Sequence, residues 1–220
     1  MTVYALPDRV HTIIFDIDST LYTNSTYAFE QIDIQLRRYA AVADISADEA
    51  RAQIAAYREK WAAEHDGQKI SLGNALTAFG IPIAESIRWR RELLEPALFL
   101  QPDEELRRTL ERLAETYVLI CVTNNPVLPA RKTLEALGVS DLFPEIIGLD
   151  TCGVSKPDRR PFELAARLSG AAVSHCLSVG DRYDIDIALP LSMGMGAVLV
   201  SGVADVYRLP YVLKNGTRPE

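Results

Sequence analysis

Five short, nearly unbroken apolar runs constrain the fold of this chain more than any other feature. They are TIIFDI (12–17), YVLICVT (117–123), EIIGL (145–149), CLSVGD (176–181) and GAVLVS (196–201). A strand with one face in water alternates apolar and polar residues, whereas a run that is apolar at almost every position reads as a strand covered on both faces. Helical patterns lie between these runs. In QPDEELRRTLERLAET, Pro102 stands near a helix start and Leu106, Leu110 and Leu113 recur at helical spacing. PVLPARKTLEALG and KPDRRPFELAARLSG close on Gly138 and Gly170, residues suited to a helix stop. Strands alternating with helices predict an α/β fold: a Rossmann-like parallel sheet with helices on both faces.

The alternation breaks once. About 95 residues separate the first apolar run from the second, and they read as helical throughout. YAFEQIDIQLRRYAA places Phe29, Ile32, Leu36 and Tyr39 on one stripe, and Ser46 followed by Glu49 forms a capping-box pattern. GNALTAFG and AESIRWRRELLEP follow, with Pro96 as punctuation. A single crossover needs far less chain. The sequence therefore predicts a small all-helical cap over 22–95, inserted after the first strand, and a Rossmann-like core built from 1–21 and 96–220. Trp61 is the expected core anchor of the cap, with His65 and Asp66 at a solvated helix end. The apolar residues of the tail VADVYRLPYVLKNGTRPE are expected to cover a sheet edge or a second subunit.

Charge and cysteine usage narrow the classes of partner. A net charge of −7 argues against a nucleic-acid polymer, which selects a basic face. It leaves room for a small anionic substrate, because a bound metal or a local pocket reverses the sign locally. Cys121, Cys152 and Cys176 are sparse and have no CxxC spacing, which suits a reducing compartment. MTVYALPDRV lacks the pattern of a signal peptide, and no apolar run approaches the roughly 20 residues that span a bilayer. The expectation is a cytoplasmic protein without a membrane partner.

In open α/β sheets, ligands gather at the carboxyl ends of the strands. The first run ends on Asp16 and Asp18, followed by Ser19 and Thr20. The second ends on Thr123, Asn124 and Asn125, GVSKPD after the third carries Lys156, and the fourth runs into GDRYDID with Asp181, Asp184 and Asp186. Taken singly, DxD, TNN and a lysine before proline are ordinary loop chemistry. Their occurrence in order at successive strand ends points to a site. Hard oxygen ligands in this number suit Mg²⁺, and a lysine with a threonine hydroxyl would neutralise and orient a phosphoryl dianion. Calcium fits poorly, since GDRYDID lacks the central glycine and terminal glutamate of an EF-hand loop.

On these residues the chain resembles the haloacid dehalogenase superfamily, whose four motifs occupy the same strand ends. DxDxT is matched by DIDST, the Thr or Ser after a hydrophobic strand by Thr123, the lysine by Lys156 in SKPD, and GDxxxxD by Asp181 and Asp186. FDIDSTLYTNS, followed by a helix, is similar to the pyrimidine 5′-nucleotidase-like branch, whose usual string is FDxDNTLYxxS; Ser19 stands where that branch prefers Asn. A helical insert after the first motif is the cap type of that branch.

The resemblance implies a Mg²⁺-dependent phosphomonoester hydrolase acting on a small phosphorylated metabolite, a nucleoside 5′-monophosphate among the candidates. Asp16 would attack phosphorus to form an aspartyl-phosphate. Asp18 would protonate the leaving alkoxide and then deprotonate water. Mg²⁺ would be held by Asp16, the main-chain carbonyl of Asp18 and the acids of the last motif, Asp181 directly and Asp186 either through water or as the residue that orients Lys156, and the phosphoryl oxygens by Thr123, Asn124 and Lys156. Asp184 reads as a surface residue and Thr20 as support for the first turn. Superfamily dehalogenases do not carry the acid at Asp18, so phosphoryl transfer is the implied reaction. A phosphonatase would need an activated cap lysine, and neither Lys60 nor Lys69 has an activating context. A phosphomutase and a catalytically silent metal- or partner-binding module are the alternatives.

Overall fold

The computed structural model describes residues 1–215, so 216–220 of the tail read above lie outside the described residues. In chain order the elements are β1 (Thr2–Ala5), β2 (Thr12–Phe15), α1 (Ser25–Ala43), α2 (Ala47–Glu64), α3 (Leu72–Thr77), α4 (Ile83–Leu93), α5 (Glu104–Ala114), β3 (Val118–Val122) and α6 (Val127–Ala136). There follow β4 (Glu145–Ile147), α7 (Leu149–Cys152), α8 (Arg159–Leu168), β5 (Cys176–Gly180), α9 (Ala188–Ser192), β6 (Gly196–Leu199), α10 (Val203–Val206) and α11 (Leu209–Asn215). Two compact units emerge: Met1–Asn24 with Pro96–Glu220, and Ser25–Glu95.

The first unit is built on a sheet of order β1-β6-β5-β2-β3-β4. Strands β2 to β6 pair in parallel, and β1 runs antiparallel to β6 at one edge. Each of the five apolar runs contains one of the parallel strands. Every residue of β2 and β5 is buried, the outcome expected where both faces are covered. On one face Ile14, Ile120, Val122 and Ile147 meet Phe162, Ala165 and Ala166 of α8. On the other, Phe15 meets Phe143 edge-on at 6.1 Å between ring centroids. Because β2 is central, the residues that follow it emerge between the loops after β3 and β5.

Two features of this unit depart from the sequence reading. β1 was not anticipated, being four residues long and largely open on an edge, too short for its alternation to register. The tail packs through buried Val206 and Leu209, with α10 and α11 lying against α5, so its apolar residues cover a helix.

The second unit is all helical, with a core of Leu36, Tyr39, Ala40, Ala50, Ile54, Leu76, Ile81 and Trp89. Ser46 caps α2 by accepting from the Glu49 N–H at 3.1 Å, one half of the expected capping box, while the Glu49 carboxylate accepts from Gln53 Nε2 at 3.2 Å. The stripe proposed for α1 is corrected. Leu36 and Tyr39 enter the core, but Phe29 and Ile32 are 61% and 45% exposed. The inward face instead carries Asp33, which receives Arg51 at 2.7 Å and also Arg37, and Gln35, which accepts from Ser86 at 3.2 Å. A buried polar face satisfied by its own partners is invisible to apolar periodicity.

The tryptophans exchange roles as well. Trp61 is half-buried and stacks on His65 at 3.8 Å, whereas Trp89 is 0% exposed and its indole N–H donates to Glu85 at 2.6 Å. Among the described residues no helix is long and apolar enough to cross a membrane, and all three cysteines are free. Trp89→Ala should therefore cost about 3–5 kcal/mol of stability, and Trp61→Ala less than half as much. Urea unfolding followed by far-ultraviolet circular dichroism measures both; equal losses would contradict the assignment of Trp89 as anchor.

Candidate active site

The site begins where β2 runs out. The Asp16 N–H still donates to the Val179 carbonyl at 2.9 Å, so Asp16 leaves the sheet in register with β5. The chain then turns sharply, with Ser19 at φ +57° in the left-handed region and the Leu21 N–H bonded to the Ile17 carbonyl at 3.0 Å. Asparagine tolerates this conformation better than most side chains, a physical reason for the Asn at this position in the branch string. The turn returns buried Tyr22 to Asp18, and its hydroxyl donates to Oδ1 at 2.6 Å.

The loop after β3 faces Asp18 from the other side. Thr123, 3% exposed, donates its N–H to the Ile147 carbonyl at 2.9 Å, and its Oγ1 accepts from the Asn125 N–H at 3.1 Å. Asn125 in turn donates Nδ2 to Asp18 Oδ2 at 2.8 Å. The Asn124 side chain turns elsewhere. Its Oδ1 accepts from the Lys156 N–H at 2.6 Å and its Nδ2 donates to the Lys156 carbonyl at 3.1 Å. Asn124 thus fixes the main chain that carries Lys156.

Lys156 is buried, and its ammonium donates to Asp16 Oδ1 at 2.8 Å and to Asp186 Oδ1 at 2.6 Å. Asp186 lies in a π-helical turn, Tyr183–Ile187, an element frequent at functional sites. Its Oδ2 accepts from the Arg182 N–H at 3.2 Å, and its carbonyl accepts from Ser178 Oγ at 2.7 Å. Gly180 makes the approach possible, since an added Cβ would stand 2.6 Å from Asp186 Oδ2 and closer still to its carbons. Asp184 is exposed and paired with Arg182 at 2.7 Å. Thr20 is buried beneath the turn, and its Oγ1 has no hydrogen-bond partner among the described residues.

Asp16, Asp181 and Asp186 each offer a carboxylate oxygen, all within 4.8 Å of one another. The charge balance of this cluster is unfavourable on its own. Burial, with the negative charges of Asp186 and Asp18, outweighs the attraction of Lys156 and pushes Asp16 up from 3.8 to about 8. Burial and the neighbouring Asp186 push Asp181 up to about 6. Burial disfavours the Lys156 ammonium, but the carboxylates of Asp16 and Asp186 prevail and raise it. Three hard oxygen donors gathered against their own repulsion are chemically suited to a small divalent cation. The carboxylate of Asp18 stands outside this triad, occupied by Tyr22 and Asn125.

Of the residues proposed from sequence, Asp16, Lys156, Asp181 and Asp186 thus meet in one cluster, Asp18 lies beside it, and Thr123 ends the adjacent strand. Asn124 grips the main chain of Lys156. Tyr22, Gly180 and Ser178 were not anticipated, and Asn125 was named at its strand end without a role. TLY and TNN adjoin recognised motifs, but which side chain of each turns inward depends on turn geometry that spacing does not reveal.

Known proteins share both sequence and architecture with this chain. Residues 10–194 match the haloacid dehalogenase-like hydrolase family. The glyceraldehyde 3-phosphate phosphatase of Methanothermobacter thermautotrophicus is 30% identical over 53% of this chain, a match that spans about half, 52%, of that protein's length. The phosphoglycolate phosphatase of Shigella sonnei is 30% identical over 82% of this chain and 78% of its own. The crystal structure of a HAD phosphatase from Thermococcus onnurineus superposes with a TM-score of 0.62 at 22% identity, covering 93% of this chain and 98% of that one.

Two outcomes follow from the cluster. Folded Asp16 and Asp181 hold protons more tightly than the unfolded chain does, so unfolding releases protons above the ordinary carboxylate range. Stability in chelator should therefore fall as pH rises through about 6 and on through about 8. Melting temperatures across that window check this; a flat or rising profile would contradict the charge balance. Gly180→Ala should overpack Asp186 and cost about 1–3 kcal/mol in denaturant unfolding.

Proposed function

The chain belongs to the haloacid dehalogenase-like hydrolases and is a phosphatase-type enzyme, and we propose that it hydrolyses small phosphomonoesters through an aspartyl-phosphate with Mg²⁺ as cofactor. The observation that supports this reading is the contrast between two neighbouring acids. Asp16 is bonded to Lys156 within the acidic cluster, whereas the carboxylate of Asp18 is not one of the three clustered acids and accepts from the Tyr22 hydroxyl and the Asn125 amide. Acids in unlike environments are suited to unlike roles.

In this mechanism Asp16 Oδ1 is steadied by Lys156 and Oδ2 attacks phosphorus. The P–O ester bond breaks, Asp18 gives its proton to the departing alkoxide, and an acyl phosphate remains on Asp16. Asp18, now a carboxylate, takes a proton from water. The resulting hydroxide attacks phosphorus, and phosphate leaves as Asp16 is regenerated. Lys156, the Thr123 hydroxyl and main-chain N–H groups of the 123–125 loop bind the phosphoryl oxygens. Asp16, Asp181, Asp186 and the main-chain carbonyl of Asp18 would hold Mg²⁺. Bound there, the cation supplies positive charge that keeps Asp16 ionised and neutralises the phosphoryl group.

The relatives named for glyceraldehyde 3-phosphate and phosphoglycolate favour a short phosphorylated acid or aldehyde as substrate. A nucleoside 5′-monophosphate is the second reading, favoured by FDIDSTLYTNS. The core unit and the helical unit would serve as catalytic core and cap, and the cap would select among these substrates.

Phosphate release from both classes of ester, with Mg²⁺ and with chelator, tests the proposal. Turnover should require the metal, and Asp16→Asn should abolish it. Turnover that survives Asp16→Asn would remove the nucleophile, and the ranking of esters decides between the two substrate classes.

A further inference from the structure

Asp18 is held from both sides by residues that come from different loops. Tyr22 Oη donates to Oδ1 at 2.6 Å and Asn125 Nδ2 donates to Oδ2 at 2.8 Å. We propose that Tyr22 and Asn125 are positioning residues that clamp Asp18 for proton transfer to the leaving group. The inference rests on the role given to Asp18 above.

The two donors are themselves well fixed. Tyr22 is 3% exposed and is returned to Asp18 by the turn whose Ser19 adopts the left-handed conformation. Asn125 is anchored through both of its main-chain groups: its N–H donates to Thr123 Oγ1 at 3.1 Å and its carbonyl accepts from the Leu149 N–H at 3.1 Å. Gly148 admits this close approach, since a Cβ there would stand 2.7 Å from the Asn125 carbonyl oxygen. A donor on each oxygen fixes the plane of the Asp18 carboxylate.

Charge supplies the second part of the inference. As the ester bond breaks, Asp18 passes from a neutral acid to a carboxylate while the alkoxide becomes an alcohol. Negative charge therefore develops on Asp18 during the step, and two donors already aimed at its oxygens meet that charge without reorganising. The tyrosine hydroxyl can also accept, so its bond survives either protonation state, whereas the Asn125 amide nitrogen only donates. The clamp should matter most for esters whose alcohol cannot leave without a proton.

Paired esters provide the test. In Tyr22→Phe and Asn125→Ala, kcat/KM for phosphoglycolate, or for whichever alkyl phosphate ranks first, should fall about tenfold each, part of the 10²–10⁴ that general acid catalysis supplies. For p-nitrophenyl phosphate, whose phenolate departs unprotonated, the loss should be less than about threefold. KM should change little, and the loss should lie in kcat. Equal losses on both esters would reveal a merely structural role and overturn the clamp, as would unchanged kinetics on both.

Asp18→Asn, measured alongside, separates the clamp from the reading beneath it. If Asp18→Asn retains full activity on the alkyl ester, the assignment of Asp18 fails whatever the clamp variants do. If Asp18→Asn loses that activity while Tyr22→Phe and Asn125→Ala keep it, only the clamp fails. Should Asn125→Ala not fold, Tyr22→Phe alone decides, since it keeps the buried ring and removes only the hydroxyl.

Discussion

The ammonium of Lys156, buried between Asp16 and Asp186, is the interaction on which the rest of the site depends. Taking a lysine and two carboxylates out of water is costly, and their attraction repays the cost only where geometry is good and the remaining lone pairs are satisfied. At Asp186 both conditions are visible, while burial still outweighs the attraction of Lys156 at Asp16. The main chain of Lys156 is gripped by Asn124, and the far oxygen of Asp186 accepts from the Arg182 N–H. Removing one partner would leave an uncompensated charge in the interior, which is worse than never having buried the group.

This requirement explains local structure that would otherwise look arbitrary. The π-helical turn after β5 carries Asp186 back over Gly180, where a β-carbon would collide with it. Ser178, on a strand otherwise apolar, is turned to the Asp186 carbonyl. The left-handed Ser19 and the close approach at Gly148 do for Asp18 what Gly180 does for Asp186. In each case a backbone departure puts a charged side chain where a regular strand or helix would not. Such departures cost of order 1–3 kcal/mol when a non-glycine residue adopts them, and they persist where the surrounding structure over-determines them.

Much of the sheet was legible because nearly unbroken apolar runs admit few alternatives, and each of the five contains a parallel strand. The strand ends were legible for the same reason, since a charged residue at the close of a buried strand has to be accounted for. Side-chain partnerships were less legible. Asn124 and Asn125 are adjacent and identical in sequence, yet one holds the backbone of Lys156 and the other the carboxylate of Asp18. Only the path of the loop distinguishes them. The helical unit misled in a related way: Phe29 and Ile32 share the helical spacing of Leu36 and Tyr39, but the buried face of α1 turns toward Asp33 and its arginines. Apolar spacing detects a face that excludes water, and it does not detect a polar face that satisfies itself.

The opposite environments of Asp16 and Asp18 follow from a single change of backbone path. Both lie at the end of β2, two residues apart, and on an ideal strand they would share a face and a surrounding. The tight turn ends that equivalence. Asp16 remains in register with β5, among Lys156 and the other acids, while Asp18 departs toward Tyr22 and the loop after β3. Their mutual repulsion still raises Asp16, so the two are not independent. A cation in the cluster would favour the ionised form of Asp16, while Asp18 accepts from the Tyr22 hydroxyl and the Asn125 amide. The like charges that repel at the end of the first strand thereby come to lie in different surroundings.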